Sequence, residues 1–206
     1  DPSWWTEALI SAYRMAIERA GIDTKSINAV GVSGQQHGLV VLDAEGGGIR
    51  PAKLWCDTET EPQNRQLLAM LGGDSGCIEQ LGLVIAPGYT LSKLLWLKQH
   101  EPESFRAIAH ILLPHDYINY WLTGNYVSEY GDASGTGYFD VRRREWAPSV
   151  LALIDESGRL QEALPRNGAL RVGVVSAQLE LVEDEAVRAA YTQAVAMFEA
   201  RGAEIV

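Results

Sequence analysis

Three short apolar runs separated by turn residues limit the folds open to this chain. The runs cover residues 27–32, 39–42 and 49–55, lengths that suit strands and are too short for most helices. The glycine-rich segment 43–48 between the last two runs predicts a hairpin turn. Because strands joined by a tight turn are antiparallel, a purely parallel sheet is excluded. We therefore predict an α/β fold in which a mixed sheet is flanked by helices.

Helix signals precede and follow these runs. The opening helix is predicted to be capped by Asp1, to carry Pro2 in its first turn and to end at Gly21. Later segments predict helices over 62–71, 77–81, 91–100, 101–108 and 114–123, a strand at 111–113, and a polar loop over 126–140 that leads into a strand at 138–141. Helices and strands thus alternate along the chain.

A change of pattern near residues 165–168 divides the chain into two parts. A compact β-α-β pattern follows it, with strands predicted at 170–175 and 203–206 and a helix at 184–201 between them. We therefore predict a first domain over residues 1–166 and a β-α-β segment of different character over 167–206.

The charge balance excludes a nucleic-acid partner. The 206 residues include 17 basic and 27 acidic side chains, a net charge of −10, and the longest basic run is the three arginines at 142–144. No apolar stretch approaches the roughly 20 residues that a membrane span requires, so no membrane contact is predicted. Two cysteines without CxxC spacing, Cys56 and Cys77, favour a reduced, cytoplasmic protein over a disulfide framework.

The first group of candidate binding residues is the turn Gly34-Gln35-Gln36-His37-Gly38, which follows a predicted strand. Amide and imidazole groups there can hydrogen-bond a polyhydroxylated ligand, and the glycines allow close backbone approach. The alternative is an ordinary turn that contains one structural histidine.

Two further groups are Trp55-Cys56-Asp57 and the loop 130–136, which contains Asp132. Trp55 offers a flat apolar face to the C–H groups of a sugar, and Asp57 can accept hydrogen bonds from hydroxyls. The small polar residues of the loop suit a nucleophile loop or the rim of a nucleotide site. The alternatives are a core position for Trp55, a packing thiol at Cys56, and a tight turn held by Asx and serine hydrogen bonds.

The remaining histidines give no metal signal. His100, His110 and His115 share no metal-ligand spacing with carboxylates, so we predict a structural role at the surface for them and no metal site. The sequence also lacks GxxxxGK[ST], GxGxxG and GxSxG, the motifs of common nucleotide and hydrolase sites.

Five segments, in order, resemble the FGGY carbohydrate kinases and among them the xylulokinase branch. Residues 88–100 resemble the first family signature, with Lys93 and Trp96 at its lysine and tryptophan positions. The other four are 30–38 (GxxGQxHG), 51–57 (PAILWxD), 112–124 (LPKDYLxxxLTG) and 128–136 (SDASGT). The resemblance covers residues 1–166.

The resemblance implies an actin-like, ribonuclease-H-like fold and ATP-dependent phosphorylation of a ketopentose, D-xylulose to D-xylulose 5-phosphate, with Mg²⁺. It places the sugar against Gln36 and His37, and we add Trp55, Asp57 and Asp132 as candidate substrate-binding residues. The family's opening strands with their DxGT phosphate loop, and its GGxDN motif with the general base, are absent from the sequence. No catalytic residue is therefore assigned, and we expect an incomplete piece that is inactive by itself, with a homodimer as the assembly to test.

The tail resembles a second family. Residues 170–174, 187–190 and 200–206 resemble a segment of the amidase-signature enzymes, although the serine-rich catalytic stretch of that family is absent. A chimeric graft, a misjoined fragment and chance similarity of a common β-α-β unit all stay open. Two other readings of the chain therefore stand beside the kinase: a non-catalytic sugar-binding or assembly module, and an amidase-related protein.

Overall fold

The computed structural model describes residues 1–27, 29–167, 171–172, 185–200 and 204–205. The chain divides into two compact units, Asp1–Arg166 and Asn167–Val206. Within the described residues no helix is long and apolar enough to cross a membrane.

The first unit consists of helices around a few short strands. Its helices are α1 (Pro2–Ala20), α2 (Glu61–Leu71), α3 (Gly73–Leu81), α4 (Thr90–His100), α5 (Pro102–Ala107), α6 (Pro114–Thr123), α7 (Tyr130–Ala133), α8 (Pro148–Ala152) and α9 (Arg159–Glu162), with a 3-10 turn at Thr24–Ser26. Its strands are β1 (Val40–Leu42), β2 (His110–Leu112), β3 (Val127–Ser128), β4 (Phe139–Asp140) and β5 (Glu145–Trp146), which the short strand β6 (Arg166–Asn167) follows.

The second unit contains β7 (Arg171–Val172), α10 (Glu185–Ala200) and β8 (Glu204–Ile205), and β7 runs parallel to β8. Residues 170 and 173–175 of the strand predicted there lie outside the described residues, as do Asp184 and residues 201–203 at the ends of the predicted helix and last strand.

Capping chemistry explains where the helices of the first unit begin and end. Asp1 caps α1 because its Oδ1 accepts the Ser3 N–H at 2.9 Å, and Gly21 ends that helix with a φ of 63°. The bounds of α1, α2, α4, α5 and α6 agree with the predicted bounds to within one residue. The bounds of α3 differ more, because it begins four residues before the predicted start at residue 77, directly after Gly72, the glycine that ends α2.

The buried strand β1 is paired antiparallel on both edges. On one edge Val41 lies opposite Ile111 of β2. On the other edge, isolated bridges join Leu42 to Gly48 and Leu39 to Lys53. The hairpin predicted after β1 is therefore confirmed, whereas the mixed sheet predicted around it is wrong for the described residues.

Two of the three predicted strands do not form as predicted. The continuous strand over 49–55 is wrong because Pro51, which lacks an N–H, interrupts the ladder between the two bridges. The strand over 27–32 is also wrong in its described part, residues 27 and 29–32. These residues find no partner strand in the described part of the chain, and Val30 is 64% exposed.

Helix α4 lies in the core and positions the elements around it. Leu91, Leu94 and Leu97 are fully buried and belong to the same apolar cluster as Leu67 of α2 and Leu81 of α3. The polar residues Thr90, Ser92 and Lys93 of this helix are fully buried as well. The first turn of α4 therefore faces the interior with both apolar and polar side chains.

The segment 34–38 leads into β1 and packs against the start of α6. A Cβ at Gly34 would lie 3.0 Å from His115 Cβ, and one at Gly38 would lie 2.9 Å from Pro114 Cδ. Glycine at both positions thus allows the turn to approach α6 closely.

Replacing Gly38 tests this close approach. We expect Gly38→Ala to lower the free energy of unfolding by about 1–3 kcal/mol, because the added methyl group collides with the rigid Pro114 ring. Denaturant titration followed by circular dichroism measures the change. Gly31→Ala is the matched control, since a Cβ at Gly31 meets nothing within 4 Å. Equal destabilisation by both substitutions would contradict the packing argument.

Candidate functional site

The backbone at His37 has an unusual conformation that its neighbours hold in place. Its φ is 64°, in the left-handed region that residues other than glycine rarely adopt. The His37 carbonyl accepts hydrogen bonds from Lys93 Nζ at 2.8 Å and from Thr90 Oγ1 at 3.3 Å, both at the start of α4. Two donors from the core helix thus fix the orientation of this peptide group.

The His37 ring is held by a carbonyl and by a second aromatic ring. Its Nδ1 lies 2.6 Å from the carbonyl oxygen of Gly135, and its plane stacks on Tyr89 with centroids 4.5 Å apart and 12° between the planes. Because a carbonyl only accepts, Nδ1 carries the proton in this contact. Gly135 can come this close because a side chain there would overlap the imidazole.

Asp132 connects the turn to α6. Its Oδ2 lies 2.7 Å from His115 Nδ1, and the amide of the Gln36 side chain donates to its carboxylate. Burial raises the pKa of Asp132, but His115, Gln36 and His37 outweigh it, so the pKa lies below its usual value. Asp132 is therefore an anion that orients Gln36.

His115 forms the centre of a buried group of charges. It is only 8% exposed, and its Nδ1 also lies 3.2 Å from Asp116 Oδ1. Burial lowers the pKa of His115, but the acids Asp132, Asp116 and Glu129 raise it by more. The pKa therefore lies above its usual value, which favours the imidazolium. The predicted surface position of His115 is wrong, because α6 directs this side chain to the interior.

Asp116 is the most buried acid of this group. Burial raises its pKa to about 7, although His115 and the N–H of Leu113, which donates to Asp116 Oδ2 at 3.1 Å, lower it. Asp116 therefore changes charge near neutral pH.

Three of these groups have the spacing of metal ligands. One ligand atom each from His115, Glu129 and Asp132 lies within 4.8 Å of the others. Glu129 already accepts the N–H groups of Gly131 and Asp132 at the start of α7, and Asp132 already pairs with His115. We therefore interpret the group as a charge network, and the sequence-based expectation of no metal site stays a prediction.

The Trp55–Asp57 segment lies near Lys93. Lys53 Nζ donates to Asp57 Oδ2 at 2.8 Å. Although burial raises the pKa of Asp57, the hydrogen bond and charge of Lys53 and the charge of Lys93 lower it overall. Trp55 is 58% exposed, so the alternative of a core position is wrong for it. Its carbonyl oxygen would lie 2.8 Å from a Cβ at Gly88, two residues before α4.

The structure thus brings three of the five candidate residues into one network: Gln36, His37 and Asp132. Asp57 is linked to this network only by its electrostatic interaction with Lys93. Trp55, two residues before Asp57, is exposed and has no link to the network among the described contacts. Sequence reasoning missed the roles of Lys93, His115 and Asp116. Lys93 lies within the signature-like segment, and the other two lie in the LPHDY segment, but their partners are distant in sequence, so spacing alone could not pair them.

Comparisons with known proteins agree on one family. The profile of the N-terminal domain of the FGGY family of carbohydrate kinases matches residues 1–176. The xylulose kinase of Haemophilus influenzae is 44% identical over 184 residues, which cover 86% of this chain and 37% of that protein. The xylulose kinase of Streptomyces rubiginosus is 45% identical over 168 residues, which cover 82% and 34%.

Solved structures give the same result for the fold. A xyloylose kinase from Brucella ovis matches with a TM-score of 0.75 and 32% identity, covering 82% of this chain and 34% of that one. The xylulose kinase of Bifidobacterium adolescentis matches with a TM-score of 0.71 and 30% identity, covering 82% and 40%. The chain thus spans about two fifths or less of these relatives, and the amidase resemblance of the tail finds no support.

The pKa of Asp116 predicts a pH-dependent stability. Because this pKa is higher in the folded chain than in the unfolded chain, folding retains a proton, and stability is lost as the pH rises from about 4 to about 7. We expect the free energy of unfolding to fall by up to about 1.4 kcal/mol per pH unit in this range, and less steeply in Asp116→Asn.

Urea titrations at pH 5, 6, 7 and 8 measure both slopes. Asp155→Asn is the control, since hydrogen bonds from Ser157 lower the pKa of Asp155 and confine its effect to more acidic solution. Parallel curves for the native chain and Asp116→Asn would show that Asp116 does not titrate in this range.

Proposed function

Because the chain belongs to the FGGY family of carbohydrate kinases, we propose that its first unit binds the acceptor sugar in the ATP-dependent phosphorylation of D-xylulose to D-xylulose 5-phosphate. The support is the identity of 44% and 45% to proteins named xylulose kinase and the match of the fold. The actin-like, ribonuclease-H-like architecture and the domain boundary at residue 166 belong to the same proposal.

The observation that carries this proposal is the way in which His37 is held. Gly135 fixes the proton on Nδ1, and Tyr89 covers one ring face. No hydrogen bond within the described part of the chain engages Nε2. A neutral imidazole in this tautomer offers a lone pair at Nε2, which accepts a hydrogen bond from a sugar hydroxyl.

Gln36 complements His37 as a neutral polar contact. Its amide donates to Asp132, which leaves the amide oxygen and the second N–H for hydroxyl groups. Mixed donors and acceptors suit hydroxyls, because each hydroxyl donates once and accepts as well. Trp55 and Asp57 extend the proposed contact surface, with an exposed indole face and a carboxylate.

The residues around the turn do not suit a nucleoside triphosphate. Asp132, Glu129 and Asp57 are carboxylates that repel phosphate, and the ammonium of Lys93 is fully buried. The residues described here therefore do not fit ATP with Mg²⁺, and we derive no phosphoryl-transfer step from them. These side chains bind and orient the sugar.

The candidate contact residues Asp132 and Asp57 are also poor general bases. A base works best when its pKa lies near the working pH. His115 lowers the pKa of Asp132 and Lys53 lowers that of Asp57, in both cases against the effect of burial. This favours the non-catalytic sugar-binding module as the second candidate for these 206 residues. The amidase reading is not retained, while a cytoplasmic location and a homodimer stay predictions.

Loss of the His37 ring tests sugar binding. We expect His37→Ala to weaken D-xylulose binding at least about tenfold, the equivalent of one lost hydrogen bond of about 1.4 kcal/mol. Isothermal titration calorimetry on the purified chain measures the affinity. His100→Ala is the matched control, because that histidine is exposed at the end of α4. Equal affinity of His37→Ala and the native chain, or no binding by the native chain, would refute the proposal.

An assay of ATP consumption separates the two candidate functions. With D-xylulose and Mg²⁺ present, we expect the 206-residue chain to bind the sugar without turnover. No phosphate site is found among the described residues near the turn, the pKa values of Asp57 and Asp132 are lowered, and Asp116, whose pKa is about 7, is buried. Turnover near about 1 s⁻¹, the lower end for kinases, would show that the catalytic groups lie within this chain.

A further inference from the structure

Lys93 is a buried lysine that contacts backbone instead of a carboxylate. Its side chain is 0% exposed. Its Nζ donates to the carbonyl of His37 at 2.8 Å and to the carbonyl of Gly88. Within the described part of the chain it forms no salt bridge. A buried ammonium without an ion pair costs free energy, so its retention requires some compensating role.

Both carbonyls that Lys93 contacts belong to residues with left-handed backbone. His37 has a φ of 64° and Gly88 a φ of 94°. Glycine adopts this region freely, but a residue with a side chain is strained there by about 1–2 kcal/mol. The ammonium therefore lies where the backbone needs support, and it joins the sugar-binding turn to the loop before α4.

The electrostatic surroundings agree with this role. Burial lowers the pKa of Lys93 to about 8, the charge of Lys53 lowers it as well, and Asp57 and Cys56 raise it. Lys93 thus remains cationic at neutral pH, which strengthens its hydrogen bonds to the two carbonyls.

We infer that Lys93 is the positioning residue of the turn: its ammonium holds the His37 peptide in the left-handed conformation, so that the ring bonds Gly135 through Nδ1 and presents Nε2. Without that hold the peptide relaxes to an unstrained conformation, and the ring leaves Gly135. The consequence for sugar affinity rests on the proposed function, but the conformation of His37 is measurable without any sugar.

The primary readout is the tautomer of His37 in the sugar-free chain, from the ¹⁵N shifts of the ring nitrogens. In the native chain we expect one tautomer, protonated on Nδ1. In Lys93→Met, which keeps the length of the side chain and removes the charge, we expect a mixture of tautomers and at least a tenfold loss of D-xylulose affinity. Lys93→Arg keeps the charge, so we expect it to retain part of the preference for the Nδ1-protonated tautomer and part of the D-xylulose affinity.

The matched control is Lys98→Met on the same helix. Lys98 Nζ also donates to a backbone carbonyl, that of Ile154, but it does not contact the turn. We expect this variant to keep the single tautomer and the native affinity. If Lys93→Met folds and retains the Nδ1-protonated tautomer, or if Lys98→Met disturbs it equally, the inference is refuted.

A double substitution covers the case in which Lys93→Met does not fold. Glycine at position 37 removes the strain, so we expect Lys93→Met to lower the midpoint of urea unfolding by less in the His37→Gly background than in the native one. An equal or larger shift, or failure of the double variant to fold, would refute a hold on strained backbone. A changed tautomer in Lys93→Met together with no sugar binding by the native chain would support the inference and refute the sugar assignment alone.

Discussion

The left-handed backbone at His37 is the constraint on which the arrangement around the turn depends. In this conformation the carbonyl points to the core helix α4, where Lys93 and Thr90 donate to it, while the side chain turns toward Gly135. In an extended conformation the carbonyl and the side chain of residue 37 would have a different relative orientation. Either the hydrogen bonds of the carbonyl to α4 or that of the ring to Gly135 would then be lost. The strain costs about 1–2 kcal/mol, and the three hydrogen bonds that depend on this conformation contribute about 0.5–1.5 kcal/mol each. Their sum offsets the strain, which explains why a histidine occupies a conformation that glycine favours.

Behind the turn, His115, Asp132 and Asp116 form a group of interacting charges. His115 lies between Asp132 and Asp116, and the two acids have opposite pKa shifts because their surroundings differ. At Asp132 the hydrogen bonds from His115 and Gln36, together with the electrostatic effect of His37, outweigh burial, whereas burial dominates at Asp116. One acid therefore stays ionised and orients the turn, and the other changes charge near neutral pH in the interior.

Local chemistry explains which parts of the fold could be predicted from the sequence. Helix bounds follow from residues such as Asp1, Gly21 and Gly124, whose effects are confined to one turn of helix. The strand expected at 27–32 failed for the opposite reason, since a strand exists only if another segment pairs with it. Burial of His115 could not be read from its spacing either, because its partner Asp132 lies on another helix.

The segments that resemble the kinase family lie far apart in sequence, yet the structure joins them through contacts around one turn. Gly34 and Gly38 of the first segment touch the start of α6, and His37 reaches the loop that contains Gly135. Lys93 of the signature-like segment bonds the same histidine. Gly88, which precedes it, packs on the carbonyl of Trp55.

Each of these segments therefore supplies a group that needs a partner from another segment. The groups are the turn around His37, the ammonium of Lys93, the start of α6 and the carbonyl of Gly135 that accepts the proton of His37 Nδ1. This explains why each motif is uninformative by itself and why their order along the chain carries the information. A change in one segment removes the partner of another, so substitutions at these positions are expected to be coupled even where the residues lie 98 positions apart in the chain, as His37 and Gly135 do.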